Sequence, residues 1–253
     1  MRRIILCALA ALIFGAGAAM ASEGAPKPPS RDWSFDGVFG RFDRAAMRRG
    51  YQVFSEVCAS CHALELVAYR NLQEVGFGAG EVREIAAEFE VEDGPNEEGE
   101  MYMRPALPFD RFVPPFPNDQ AARDANNGAM PPDLSLIVKA RKGGADYLHA
   151  LLTGYKEEPP EGVELNEGMY YNDYFLGHQI AMPTPLMDES VEYEDETKAT
   201  VEQMSADVVT FLAWAAEPEL EARKRMGLWV VVFLVVFTAM LYALKRRIWS
   251  DLH

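Results

Sequence analysis

The chain has 253 residues, of which 49% are hydrophobic, and a formal net charge of −15. Its length holds one sizeable domain or two small ones. So acidic a composition disfavours nucleic acid and points to a basic partner, or simply to solubility.

In chain order, residues 1–21 come first. Arg2 and Arg3 lead into the apolar run Ile4–Phe14, and Ala19-Met20-Ala21 closes the segment. That pattern predicts a secretory signal peptide cut before Ser22. Its removal takes away two positive charges and Cys7. Of the three cysteines, Cys58 and Cys61 then remain alone, too few for a disulfide framework. Residues 22–30 (SEGAPKPPS) read as a Pro-rich lead-in. A helix is predicted from Asp43, which can cap it. Met47, Tyr51, Phe54 and Cys58 then recur at helical spacing, so this helix runs straight into the cysteine pair.

From Val82 to Glu100 the chain is strongly acidic. Its first half is predicted helical, with a break at Gly94-Pro95-Asn96. Pro105–Pro117 is Pro-rich and irregular. A second helix is expected from near Asp133 to Gly143-Gly144, and a third from around Asp146 to Gly154. Residues 155–200 read as a long functional loop region. A last amphipathic helix follows over Val201–Ala216, with Val201, Met204, Val208, Phe211, Leu212 and Ala215 on one face. Pro218 marks a bend. There is no internal repeat and little reason for β-structure, so the predicted class is mainly α, helices joined by long loops.

Met226–Leu244 contains no charged residue. As a helix it extends about 28 Å, close to the hydrocarbon thickness of a bilayer. Trp229 and Tyr242 sit near its ends, as interfacial aromatic rings do. A transmembrane helix is therefore predicted. Arg223-Lys224-Arg225 before it and Lys245-Arg246-Arg247 after it balance, so the positive-inside count is a tie. The signal peptide decides the orientation. Residues 22–222 form the exported domain, 223–247 the single-pass anchor in the inner (cytoplasmic) membrane, and 248–253 a cytoplasmic tail. The exported domain lies on the periplasmic side.

Cys58-Ala59-Ser60-Cys61-His62 is the one motif of high specificity. Two thiols at this spacing can each add across a vinyl group of one haem, and the next residue presents its imidazole to the iron. A thioredoxin-like redox pair wants a strand before the motif, which is absent. A zinc site wants a second cysteine pair, which this chain lacks. One covalent haem c is expected on Cys58, Cys61 and His62, and with it electron transfer.

The sixth iron position is open between two methionines. Both are followed by proline: Met130 in Gly128-Ala129-Met130-Pro131-Pro132, and Met182 in Ile180-Ala181-Met182-Pro183. A thioether raises the reduction potential, and proline stiffens the loop that presents it. His178 is a rival. His149 lies on a helix face and reads as a packed histidine, and His253 falls on the far side of the membrane.

At this point the sequence resembles the cytochrome c1 family, the haem subunit of the cytochrome bc1 complex. The blocks that carry the resemblance run from Arg49-Gly50-Tyr51-Gln52-Val53 and the cysteine motif through Val91–Glu97, Ala125–Ala129 and Pro131–Ser135. They continue through Leu151–Tyr155, Asp207–Val209, Trp214–Pro218 and Arg223–Gly227. The resemblance implies a class I cytochrome c-like helical domain and favours Met182, after Tyr174-Phe175-Leu176-Gly177, as the ligand opposite His62. It makes Met130 a pocket-lining residue, pairs Arg141 with a haem propionate, and puts Tyr147 near the haem. An always-charged partner for a partly buried propionate also makes physical sense at Arg141. Some bacterial members brace the methionine loop with an extra cysteine pair. This chain has none, so its loop 163–190 is expected to be held by packing and prolines.

The same resemblance implies one-electron relay within a quinol–cytochrome c oxidoreductase of a respiratory or photosynthetic chain. The electron comes from a Rieske iron–sulfur protein and leaves to a soluble basic cytochrome c. Cytochrome b is a further partner, and the assembly is dimeric. The acidic stretch Glu84–Glu100 and the cluster Asp188, Glu189, Glu192, Glu194, Asp195 and Glu196 are expected to steer that cytochrome c. A free-standing membrane-anchored carrier is the alternative. A haem peroxidase or sensor with a displaceable sixth position is a more distant one.

Overall fold

The computed structural model describes residues 26–250. The predicted signal peptide (1–21) and the end of the tail (251–253) lie outside the described residues.

Helix α1 spans Arg44–Glu56, and the Asp43 carboxylate caps it by accepting from the Ala45 and Ala46 amides at 2.9 and 3.2 Å. Met47, Tyr51, Val53 and Phe54 are buried on one side, so the helical spacing of the sequence is realised. The helix ends at Val57 and tightens into a 3-10 turn over Cys58–Ser60. After it come a short α2 (Leu72–Val75) and α3 (Ala79–Ala87).

Two features depart from the sequence reading. The chain does form β-structure, as two small antiparallel ribbons. β1 (Glu90–Asp93) pairs with β2 (Tyr102–Pro105), and β3 (Tyr170–Tyr171) pairs with β4 (Gln179–Ile180). Strands this short carry no usable period-2 pattern, and their ends are held by turns rather than by buried faces. The helix expected from Asp133 shrinks to the single turn α5 (Ile137–Ala140), because Asp133 and Ser135 bond across to another segment instead. Between them lies α4 (Asp119–Ala125), capped by the Asn118 side chain. The helix predicted near Asp146 is present as α6 (Gly144–Thr153).

Helix α7 covers Val201–Ala216, with Thr200 as cap. It is not one-faced: every residue from Met204 to Ala216 is buried. A helix buried all round is the central post of a domain, and α1, α5 and α6 pack about this one. The tightest crossing is with α1. A β-carbon on Gly50 would stand 2.1 Å from the Asp207 carbonyl oxygen, so only glycine lets the two backbones meet. Beside it the Arg49 guanidinium grips Asp207 with two bonds, Nε to Oδ2 at 2.9 Å and Nη2 to Oδ1 at 3.0 Å. The Asp207 side chain is 2% exposed. Tyr51 and Phe54 of α1 pack edge-on or tilted against Phe211 and Phe112, closing the core beneath the cysteine turn.

Helix α8 (Leu220–Trp249) follows α7 after a break at Glu217-Pro218. It has a mean hydropathy of 2.4 over its most apolar window, and none of that window is buried in the rest of the chain. Its foot is tied to the domain. Glu221 bonds the Phe42 amide and pairs with both terminal nitrogens of Arg44, and Glu217 holds Lys139 at 2.6 Å. The chain is a mainly helical domain on one long apolar C-terminal helix.

Candidate functional site

The geometry of the cysteine turn follows from how α1 ends. Both the Cys61 and His62 amides donate to the Cys58 carbonyl, at 3.1 and 2.9 Å, so the three side chains leave one compact turn. Burial pushes the Cys58 thiol up to about 12, with neighbouring Cys61 adding to the shift. A reactive redox cysteine needs the opposite shift, toward the thiolate. A thiol held neutral is a poor redox nucleophile, so this environment disfavours the redox-pair reading.

His62 is oriented from behind. Its Nδ1–H donates to the Pro132 carbonyl at 2.8 Å, and Nε2 has no hydrogen-bond partner among the described residues. Burial lowers its pKa, which keeps the imidazole neutral and able to coordinate. Pro132 can serve because its segment is clamped to the one after the motif. The Leu134 amide donates to the Ala63 carbonyl at 2.9 Å. The Glu65 amide donates to Asp133 at 2.8 Å, and the Leu66 amide to the fully buried Ser135 hydroxyl at 3.0 Å.

The methionine side is built by separate means. Met182 lies just past β4 and is half-buried, and the Tyr155 hydroxyl donates to its carbonyl at 3.1 Å. Ahead of it, buried Asn172 donates to the Leu151 carbonyl and accepts from the Tyr174 and Phe175 amides. The Asp173 amide donates to the Gly154 carbonyl at 2.9 Å. Gly154 must be glycine, since a β-carbon there would lie 2.6 Å from the Tyr174 ring. The loop expected to rest on packing and prolines is therefore also held by a ribbon and by these bonds.

Arg141 and Tyr147 fall near the same wall. Arg141 is exposed just after α5, and its side chain has no hydrogen bond or ion pair among the described residues. Its charge acts on the Tyr147 hydroxyl, whose pKa is raised on balance by burial. Tyr147 in turn acts on Tyr155, whose pKa burial also raises. Of these side chains, Tyr155 alone is bonded to the Met182 backbone. Met130 is on the turn after α4 and 39% exposed. His178 stacks on Tyr171 at 5.6 Å with its Nδ1 against the Asn172 carbonyl, and His149 packs edge-on to Trp33.

The donors of the cysteine turn fit one c-type haem, with paired thiols on one turn and a neutral imidazole whose Nε2 has no partner among the described residues; Met182 is the candidate thioether, on a braced loop. Spacing alone did not single out Pro132, Asp133, Ser135, Asn172 or Tyr155, whose hydrogen bonds hold the segments that carry the candidate ligands His62 and Met182. Their one sequence signal is their place inside the blocks shared with the family or beside them.

The proposed docking charges are unequal. In the second cluster Asp195 pairs with Arg49 at 2.8 Å, Glu194 with Arg48 at 3.4 Å, and Asp188 accepts from the Val201 amide at 2.8 Å. Those three carboxylates serve the fold. Glu84, Glu88, Glu90, Glu92, Glu97, Glu98 and Glu100 on α3 and the β1–β2 ribbon are exposed, and their side chains have no ion pair among the described residues.

Comparison with known proteins agrees with this arrangement. The profile of the Cytochrome C1 family matches residues 33–252. Cytochrome c1 of Rhodospirillum rubrum is 50% identical over 265 residues, covering 99% of this chain and 97% of that protein. Cytochrome c1, heme protein, mitochondrial, of Saccharomyces cerevisiae is 51% identical over 237 residues, covering 94% and 77%. The Cytochrome b/c1 of Bradyrhizobium diazoefficiens is 49% identical over 272 residues, and this chain spans 40% of its length.

Proposed function

This chain belongs to the cytochrome c1 family, and we propose that it is the haem subunit of a cytochrome bc1 complex, a quinol–cytochrome c oxidoreductase. In that role it takes one electron at a time from a Rieske iron–sulfur protein and passes it to a soluble basic cytochrome c. The observation that carries the reading is the turn Cys58–His62, with Nδ1 of His62 fixed by the Pro132 carbonyl and Nε2 left free.

The haem would supply a one-electron iron couple, whose potential a methionine thioether ligand raises. The chain's residues hold and tune it. Cys58 and Cys61 would hold it through thioethers, and His62 and Met182 would be its iron ligands. Arg141, whose side chain has no ion pair among the described residues, would pair with a propionate, and Tyr147 would lie near the haem. The exposed glutamates of α3 and the β1–β2 ribbon steer the acceptor, because fields from many charges add while single exposed pairs contribute little. Residues 1–21 are the signal peptide, 22–222 the periplasmic domain, 223–247 the anchor, and 248–253 the cytoplasmic tail.

Absorption spectra of wild type, Met182→Leu and Met130→Leu, oxidised and reduced, test the assignment. Only Met182→Leu is expected to lose the sulfur-to-iron charge-transfer band and to lower the potential. Loss of the band in Met130→Leu instead overturns the ligand set. Detergent extraction tests the assembly: the chain is expected to co-purify with a b-type cytochrome and an iron–sulfur protein.

A further inference from the structure

We propose that the loop Gly37–Gly40 is a second membrane contact, with Val38 and Phe39 entering the headgroup–acyl boundary beside the foot of α8. Phe39 is 79% exposed and Val38 66%. Phe39 is more open than any apolar side chain of α8, including Trp229 at 68%. Its neighbours behave oppositely, since Trp33, Phe35 and Phe42 are all buried. The segment places three aromatic rings inward and one outward.

This exposure belongs to a shaped loop. The Asp36 amide donates to the Trp33 carbonyl at 2.9 Å, and the Arg41 amide to the Ser34 carbonyl at 2.8 Å. A β-carbon on Gly40 would stand 1.9 Å from the Asp36 carbonyl oxygen, so the loop's limbs touch and only glycine closes it. The nearest carboxylate, Asp36, is turned back to the Trp33 amide. The tip Gly37-Val38-Phe39-Gly40 carries no charge.

Its height is set by α8. Lys224 Nζ donates to the Phe35 carbonyl at 2.5 Å and the Gly40 carbonyl at 3.3 Å, so both limbs of the loop are stapled to the first turns of that helix. Phe35, Asp36 and Gly37 also share a cavity of about 290 Å³ with Ala216, Glu217 and Leu220 at the α7–α8 junction. Met226, where the apolar run begins, lies two residues beyond Lys224, or about 3 Å along the axis. Apolar side chains at a membrane interface sink about 5–10 Å below the headgroups. A loop tip held at Lys224 is within that range, level with Arg223 and Arg225, which prefer the headgroup layer. A fully hydrated tip would leave two adjacent large apolar side chains in water with no compensation.

The inference rests on α8 crossing a bilayer and not on the haem reading. Nitroxide labels on Phe39→Cys, Glu98→Cys and Val235→Cys test it, in the full-length haem-loaded chain reconstituted in phosphatidylcholine nanodiscs. Accessibility to dissolved oxygen is compared with accessibility to an aqueous nickel chelate. The label at 39 is expected to favour oxygen over nickel, less than the mid-span label at 235 and opposite to the aqueous label at 98. A nickel-accessible label at 39, with 235 still in lipid, overturns the proposal and leaves the span intact. A label at 39 shielded from both reagents also overturns it, because protein then covers the loop. A nickel-accessible label at 235 removes the span and the proposal together, whatever the haem spectrum shows.

Discussion

Replacing Arg49 by methionine leaves the Asp207 carboxylate, 2% exposed, without its guanidinium. Breaking a buried ion pair from one side costs about 3–5 kcal/mol, since the remaining charge stays desolvated. Gln203 still donates to Asp207 Oδ2 at 3.0 Å, which favours the lower half of that range. A loss of about 3 kcal/mol is a factor of roughly 150 in the folding equilibrium. It is a large share of the total stability of about 5–15 kcal/mol usual for a domain. At about 2–4 °C per kcal/mol for a domain of this size, the melting temperature falls by roughly 6–12 °C. The assay is thermal unfolding of the haem-loaded chain in detergent, followed by far-ultraviolet circular dichroism. Arg31→Ala is the comparison. Arg31 pairs with Glu202 at 2.6 Å, but the side chains are 40% and 60% exposed, and the expected loss is about 1 kcal/mol or less. Arg49→Met with Asp207→Leu removes both charges and is expected to recover most of the loss. A single Arg49→Met variant that melts within 2 °C of wild type refutes the claim that this pair fastens α1 to α7.

Three more outcomes follow from the geometry. Tyr155→Phe deletes the hydrogen bond to the Met182 carbonyl, worth about 1 kcal/mol, and the methionine–iron band is expected to disappear at a lower temperature than in wild type. An unchanged band-melting curve counts against the bracing role. Arg104 holds the Asp110 carboxyl below its ordinary value of 3.8, through a side-chain hydrogen bond. The folded pKa is depressed, so this stabilisation is present above 3.8 and is lost as pH falls through the folded value. Arg104→Gln is therefore expected to melt below wild type at pH 6, with the gap closing in strong acid; a gap independent of pH refutes it. Finally, the second-order rate of electron transfer to a basic cytochrome c is expected to fall steeply with ionic strength. Glu97→Gln with Glu98→Gln and Glu100→Gln should flatten that dependence, and a flat response in wild type removes the steering role.

Parts of the molecule with long periodic patterns were legible in the sequence. The Asp43 cap, the buried Met47, Tyr51 and Phe54, and the span of α7 all followed from helical spacing and capping chemistry. The apolar character of α8 was equally plain. The candidate haem-binding turn was legible because its chemistry is local, with three donors in five residues. What spacing could not show was long-range. Asp133 and Ser135 read as the start of a helix, yet their side chains take amides some seventy residues away. The ribbons were too short to announce themselves. Asp188, Glu194 and Asp195 looked like free charge because their partners lie on α1 and at the start of α7. Likewise α7 looked one-faced, because a pattern of polar residues does not say whether neighbours will cover them.

The pairing of α1 with α7 also sets an order on how the chain comes to be. Arg49 and Asp207 are separated by 158 positions. Contacts of such range form late, after the closing of a long loop. During synthesis the segment carrying Cys58 and Cys61 emerges well before the helix that completes its core, and that helix directly precedes α8. The Cys58 thiol therefore passes through a period without the burial that raises its pKa in the folded domain. Once Asp207 arrives, α1 is fastened at its middle, and the Cys58–Ser60 turn at its end is set in place with both cysteines still partly open.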